Sequence, residues 1–296
     1  MRILVIMQSS VEPLYVTTTK LLKELYHQVC TKKNLPVDII SYVGDADETK
    51  VEGDTIYIKC DNKLSIDKHR VVYKYIYDHP EYDVIIKTNV STVLNLELLC
   101  KYVASVDYYS HNFYGTCTMW DSRCAGTLIY KDKQCMYSNF PVGFFHMAKY
   151  DIWKELYEAY DDVTDQIKAN IKLQEDDNDW QSYPGDKEKG IIDVNDDLVM
   201  GALLVAVNRR CIELVNYIKL SPDDVDNYVE NRNNFDSIFG TVCIRCKLAV
   251  KPGEGYAMRE YWEPKLIYLA AKLYEGHDTN IEDLRVFLEL LKYFML

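Results

Sequence analysis

Two adjacent carboxylates open one of the most apolar stretches of this 296-residue chain. Asp196 and Asp197 precede Leu198–Met200 and Ala202–Val207, which are apolar on nearly every side of a helix and therefore read as buried. Asn195 suits the N-cap of that helix, expected from Asp196 to about Asn208. Acids in a first helical turn are common, because the helix dipole stabilises them. The functional alternative is that a buried helix aims a carboxylate into a cleft, where it accepts a proton from a hydroxyl nucleophile.

A second constellation lies in YDVIIKTNVST, residues 82–92. Val84, Ile85 and Ile86 suit a strand buried on both faces of a sheet. The polar residues Lys87, Thr88, Asn89, Ser91 and Thr92 follow at once. In open α/β sheets, ligands bind outside the carboxyl ends of strands, so such an ending marks either a site edge or a plain turn. The first strand, Ile3–Met7, ends alike in Gln8, Ser9 and Ser10. Arg70 and Lys74, four apart on a helix, share a face and are either solvated cations or contacts for a diphosphate.

Between residues 107 and 124, Tyr108, Tyr109, His111, Asn112, Tyr114 and Trp120 mix aromatic faces with hydrogen-bonding groups. Such a surface suits sugar rings, and equally suits a hairpin that packs its aromatics inward. In FPVGFFHMA, Gly143 permits close backbone approach and His146 is the titratable group. A lone histidine of this kind is more often structural than catalytic.

These residues need a scaffold. Helices are expected over Leu14–Cys30, His69–His79, Asn95–Ala104 and Asp151–Tyr160, and strands over Val37–Val43, Asp54–Cys60 and Thr127–Tyr130. The alternation indicates an α/β fold: a Rossmann-like, mostly parallel central sheet flanked by helices. Residues 161–190 are acidic and weakly periodic, and read as a long surface loop. Strands are expected at Cys211–Leu220 and Phe239–Val250, a helix at Glu263–Tyr274 with Pro264 near its start, and a last helix from Ile281 with Thr279 and Glu282 as a capping box. No linker is evident; residues 1–220 read as the main domain and 221–296 as an extension packed on it.

Composition narrows the classes. The formal net charge of −12 argues against a nucleic-acid binder. Twelve acids against four bases between Asp161 and Asp197 account for −8 of it. No apolar run is long enough to span a bilayer, and the five-residue run at the start is too short for a signal-peptide core. Nine scattered cysteines fit a reducing compartment, so a cytoplasmic protein is expected. Cys243 and Cys246 lie in a strand-like run with no second pair at zinc spacing. Neither GxGxxG after the first strand nor GxxxxGK[ST] occurs, which counts against dinucleotide oxidoreductases and P-loop phosphotransferases.

Three stretches in order resemble the β-1,3-galactosyltransferase and Fringe-like enzymes, and the soluble glycosyltransferases of large DNA viruses: YDVIIKTNVSTVLNLELL, VGFFHMAKYDIWKELYEA and DDLVMG. The resemblance spans about residues 1–210. It implies a GT-A fold and an inverting hexosyl or pentosyl transfer from a nucleotide-diphosphate sugar, a uridine diphosphate sugar by analogy, to a glycan or glycoprotein hydroxyl. Asp197 falls at the family's base position, with Asp196 beside it. Gln8, Ser9, Ser10, Arg70, Lys74, Lys87, Asn89 and Ser91 are the expected donor contacts. Tyr109, His111, Trp120, Gly143 and His146 are the expected acceptor contacts. Asn89, Val90 and Ser91 stand where the family carries an acidic, metal-binding triplet. A bound Mn²⁺ or Mg²⁺ is therefore doubtful, and Arg245, Lys247, Lys251 and Arg259 join Arg70, Lys74 and Lys87 as cations able to replace it. The alternatives are a non-catalytic glycan- or nucleotide-sugar-binding protein on the same fold, and a sugar nucleotidyltransferase.

Overall fold

The computed structural model describes residues 1–60, 65–104, 112–115, 118–120, 126–141, 143–170, 182–183, 193–194, 196–213, 217–219, 242–246, 256–274 and 286. The chain begins with β1 (Ile3–Gln8), α1 (Pro13–Lys33), β2 (Val37–Val43), β3 (Lys50–Glu52), β4 (Thr55–Tyr57), α2 (Ser65–Tyr77) and β5 (Val84–Asn89). Next come β6 (Thr92–Leu94), α3 (Leu96–Ala104), β7 (Phe113–Gly115), β8 (Thr118–Trp120), β9 (Gly126–Tyr130), β10 (Lys133–Tyr137), β11 (Asn139–Pro141) and β12 (Phe145–Lys149). Then follow α4 (Tyr150–Asn170), β13 (Ser182–Tyr183), β14 (Asp193–Val194), α5 (Asp196–Ala206), β15 (Cys211–Glu213), β16 (Tyr217–Lys219), β17 (Cys243–Arg245) and α6 (Tyr256–Leu273).

The main sheet has eight strands in the order β15-β7-β12-β5-β1-β2-β4-β3. The pairs β1–β2, β1–β5, β2–β4 and β7–β15 are parallel, and β12 runs antiparallel between β5 and β7. Alternate residues of the central strands feed two cores, which is why these strands read as unbroken apolar runs. Ile3, Val5, Met7, Val84 and Ile86 face α1, α3 and α6 through Leu22, Leu25, Leu99, Leu266 and Ile267. Leu4, Ile6 and Ile85 face α2, α4 and α5 through Val72, Tyr73, Trp153, Leu156, Leu198 and Leu203. The chain is thus a mixed α/β protein with a central sheet flanked by helices. No helix among the described residues is long and apolar enough to cross a membrane.

The carboxyl-terminal part joins this body directly. Strand β17 pairs antiparallel with β6 and parallel with β16, and α6 packs into the core beside α1. Cys243 and Cys246 are free, buried thiols of the same core.

Several elements differ from the sequence reading. Strand β5 runs through Lys87 and Thr88 to Asn89 instead of ending at Ile86. Both added side chains are buried, so the polar residues are inside the sheet. Helix α4 continues to Asn170, ten residues into the stretch read as acidic loop, because Val163 and Ile167 prolong its buried stripe from Tyr160. Strand β4 lies within the expected strand Asp54–Cys60, but its hairpin partner β3 falls in the stretch read as a connection; β3 is exposed throughout, so it carries no apolar alternation, and Gly53 at φ +58° makes the turn. Helix α6 starts at Tyr256, placing Pro264 inside it rather than at its start. The reading of Cys211–Leu220 as one strand gives two, β15 and β16, in different sheets. The capping box at Thr279 and all of the expected last helix except Val286 lie outside the described residues.

Candidate active site

Helix α5 delivers Asp196 and Asp197 to one face of the main sheet. Its body, Leu198–Leu204, is buried, which fixes where its first turn falls. Asp196 Oδ2 stands 3.8 Å from Lys87 Nζ and 3.7 Å from His69 Nε2. Lys87 has almost no exposed surface. Burial pulls its ammonium below the ordinary lysine value, and the two aspartates oppose that pull. Burial, and then the charge of Lys87, hold His69 well below the ordinary histidine value, so its imidazole is neutral. His69 Nε2 also lies 3.0 Å from the hydroxyl of Tyr42, itself pushed up by burial and by Asp196.

Asp197 lies against Gly143. A Cβ at Gly143 would stand 2.5 Å from Asp197 Oδ1 and 3.5 Å from Asp196 Oδ2. Glycine is needed there because backbone and carboxylate approach so closely. Burial, then the charge of Asp196, raise Asp197 to about 8; Lys87, the Gly143 N–H and Arg245 act against them. A carboxyl that titrates near neutrality is suited to taking a proton.

The end of β5 supplies a second cluster beside the first. Parallel register sets Gln8 opposite both Asn89 and Tyr42. The Asn89 side-chain oxygen accepts from Ser91 N–H at 3.3 Å, Ser91 Oγ at 3.1 Å, Thr92 Oγ1 at 3.0 Å and Arg245 Nη1. Arg245 reaches this point from β17, where it sits opposite Thr92. Its Nη1 also donates to Thr92 Oγ1 at 3.2 Å, and its guanidinium lies 4.9 Å from the ring centre of Phe144. Residues 143 and 144 therefore link the two clusters: Gly143 packs against Asp197 and the Phe144 ring lies under Arg245. Behind Arg245, Arg259 and Glu263 form a two-point buried pair at 2.6 and 3.0 Å.

A divalent cation seeks several oxygen ligands that carry negative charge. The triplet offers two neutral side-chain oxygens: the Asn89 amide oxygen, already accepting from four donors and facing a guanidinium, and the Ser91 hydroxyl, itself one of those donors. The side chains at Asn89, Val90 and Ser91 do not fit a metal.

The other candidates fall in several places. Arg70 pairs with Asp161 at 2.6 and 2.8 Å and Lys74 with Asp78 at 2.5 Å, all on exposed surface. Ser9 shares a 2.6 Å hydrogen bond with Thr19 and Ser10 accepts from the Glu12 N–H at 3.4 Å; both are buried in the connection from β1 to α1. His146 is register partner to Lys87, is buried, and lies 5.2 Å from the Phe113 ring. Tyr109, His111, Lys247 and Lys251 lie outside the described residues. Trp120 is placed on β8, paired with β11, but its side chain lies outside what is described. Tyr42, His69 and Phe144 were not singled out from sequence. Each looks like an ordinary core residue until Asp196 and Arg245 are brought beside it.

No family model matches this chain, and neither does any curated protein. Among solved structures, it is similar to a glycosyltransferase involved in the glycosylation of the major capsid of PBCV-1. The identity is 10%, the TM-score 0.40, and the match covers 90% of this chain and 100% of that one.

Proposed function

We propose that this chain is a GT-A-like glycosyltransferase that takes a sugar from a nucleotide diphosphate, a uridine diphosphate by the sequence resemblance, and passes it to a glycan hydroxyl. The observation that carries the reading is the placement of the Asp196–Asp197 pair at the first turn of buried α5, over Lys87 and against the Gly143 backbone, beside the polar end of β5. Ionised Asp197 removes the acceptor proton as the acceptor oxygen attacks the anomeric carbon, with inversion. Asp196, anchored over Lys87, fixes the turn from which Asp197 projects and adds the negative charge that makes it basic. Gln8 and Asn89 lie on adjacent strand ends where the donor would sit. Because every described cysteine is a free thiol, a reducing compartment such as the cytoplasm suits the protein.

The test is release of nucleoside diphosphate from a panel of nucleotide sugars, with donor binding read separately by thermal shift. Asp197→Asn is expected to lower release by about 10²-fold or more while the shift persists. Equal turnover by wild type and variant removes Asp197 as base. A second reading, a binding protein without turnover, is favoured by the neutral Asn89 at the triplet. Donor-induced shifts without release across the whole panel would establish it.

A further inference from the structure

The position that the sequence resemblance gives to a metal-binding triplet faces a fixed cation instead. Arg245 is held on three sides: by Asn89 Oδ1, by Thr92 Oγ1 at 3.2 Å, and by the Phe144 ring at 4.9 Å. Among the described residues its side-chain hydrogen bonds run from Nη1 alone, which leaves the N–H groups of Nε and Nη2 for a ligand. No carboxylate among the described residues pairs with it, in contrast to Arg259, whose charge is matched by Glu263. An aspartate at position 89 would neutralise the guanidinium; the amide orients it and leaves its charge available. Guanidinium forks bind phosphate oxygens in pairs.

We propose that Arg245 binds the diphosphate of the donor and stabilises the charge that departs with it, in place of a divalent metal. This rests on the nucleotide-sugar reading above. In the transfer, the bond between the anomeric carbon and the diphosphate oxygen breaks, and its electron pair stays on that oxygen, beside Arg245. The acceptor oxygen bonds to the anomeric carbon and its proton goes to Asp197. Arg245 keeps its protons throughout. The carboxyl-terminal strand β17 thereby supplies a catalytic group from outside residues 1–210.

The experiment is calorimetric titration of the full chain with UDP and with inorganic pyrophosphate, in EDTA and in Mn²⁺. Wild type is expected to bind both probes in EDTA, with Mn²⁺ changing affinity by less than about threefold, whereas Arg245→Gln loses about tenfold or more, as expected for charged hydrogen bonds. Asn89→Asp preserves the packing and is expected to weaken binding in EDTA by a similar factor, because the new carboxylate captures the guanidinium. Binding of UDP that requires Mn²⁺, or unchanged binding by either variant, overturns the role of Arg245 and leaves the nucleotide-sugar reading standing. Arg245-dependent pyrophosphate binding that the nucleoside of UDP does not improve keeps the anion site and removes the nucleotide-sugar reading. Failure of both probes to bind overturns both.

Discussion

Gly143 approaches Asp197 so closely that a methyl group on its Cα would stand 2.5 Å from the carboxylate oxygen Oδ1. The backbone of the loop before β12 and the first turn of α5 are thus fitted to each other, and the base is oriented by main chain. Gly143→Ala forces the carboxylate aside without demanding a new backbone conformation. Turnover is expected to fall by about 10²-fold, the scale of a small misplacement of a reacting group. Donor binding and melting temperature should change little. A Gly143→Ala enzyme with wild-type kcat would show that the close approach has no catalytic consequence.

The raised Asp197 has a signed effect on stability. Its folded value, about 8, lies above the unfolded value of 3.8, so the native state binds the extra proton between those limits. Stability from this group is therefore present at low pH and lost as pH rises toward about 8. The melting temperature of wild type relative to Asp197→Asn is expected to decline from about pH 5 to about pH 9. Turnover should rise over the upper part of the same range, because only ionised Asp197 accepts a proton. A flat difference curve would contradict the assignment.

Lys87 is the cation beneath this pair, and its charge lowers Asp197. Lys87→Met leaves Asp196 without it and is expected to cost about 3 kcal/mol, as for breaking a buried pair. It should also move the rising limb of the pH–rate profile to higher pH. Asp196→Asn added to Lys87→Met should recover part of the stability, which a double-mutant cycle in denaturant measures.

Arg259 and Glu263 lie one turn apart on α6, and Glu263 is almost wholly buried. Arg259→Ala strands that carboxylate and is expected to destabilise the chain by about 3 kcal/mol. Glu263→Gln in the same background should restore a portion. If Arg259→Ala melts like wild type, the pair is not what secures α6.

Much of the fold could be read from the residues. Val37–Val43 forms the strand its apolar run indicates, and α5 is buried as its composition requires. The stripe Tyr160, Val163, Ile167 was equally visible, but the acids around it hid a helix whose outer face is solvated. Lys87 was misjudged because a lysine inside a strand is expensive unless something answers its charge, and the answer, Asp196, comes from a distant part of the sequence. Within the site, the two aspartates, Gly143 and Asn89 were nameable from type and order. Their relation to Arg245 was not, since it depends on an antiparallel pairing between β17 and β6 that no local pattern encodes.

That pairing also bears on biogenesis. Arg245 and Asn89 are 156 residues apart in sequence. During translation, β1, β2 and β5 can assemble long before the guanidinium emerges from the ribosome. A nascent or prematurely terminated chain would hold a nearly finished sheet with an open edge at β6 and no fixed cation, so competence for catalysis arrives only with the closing part of synthesis.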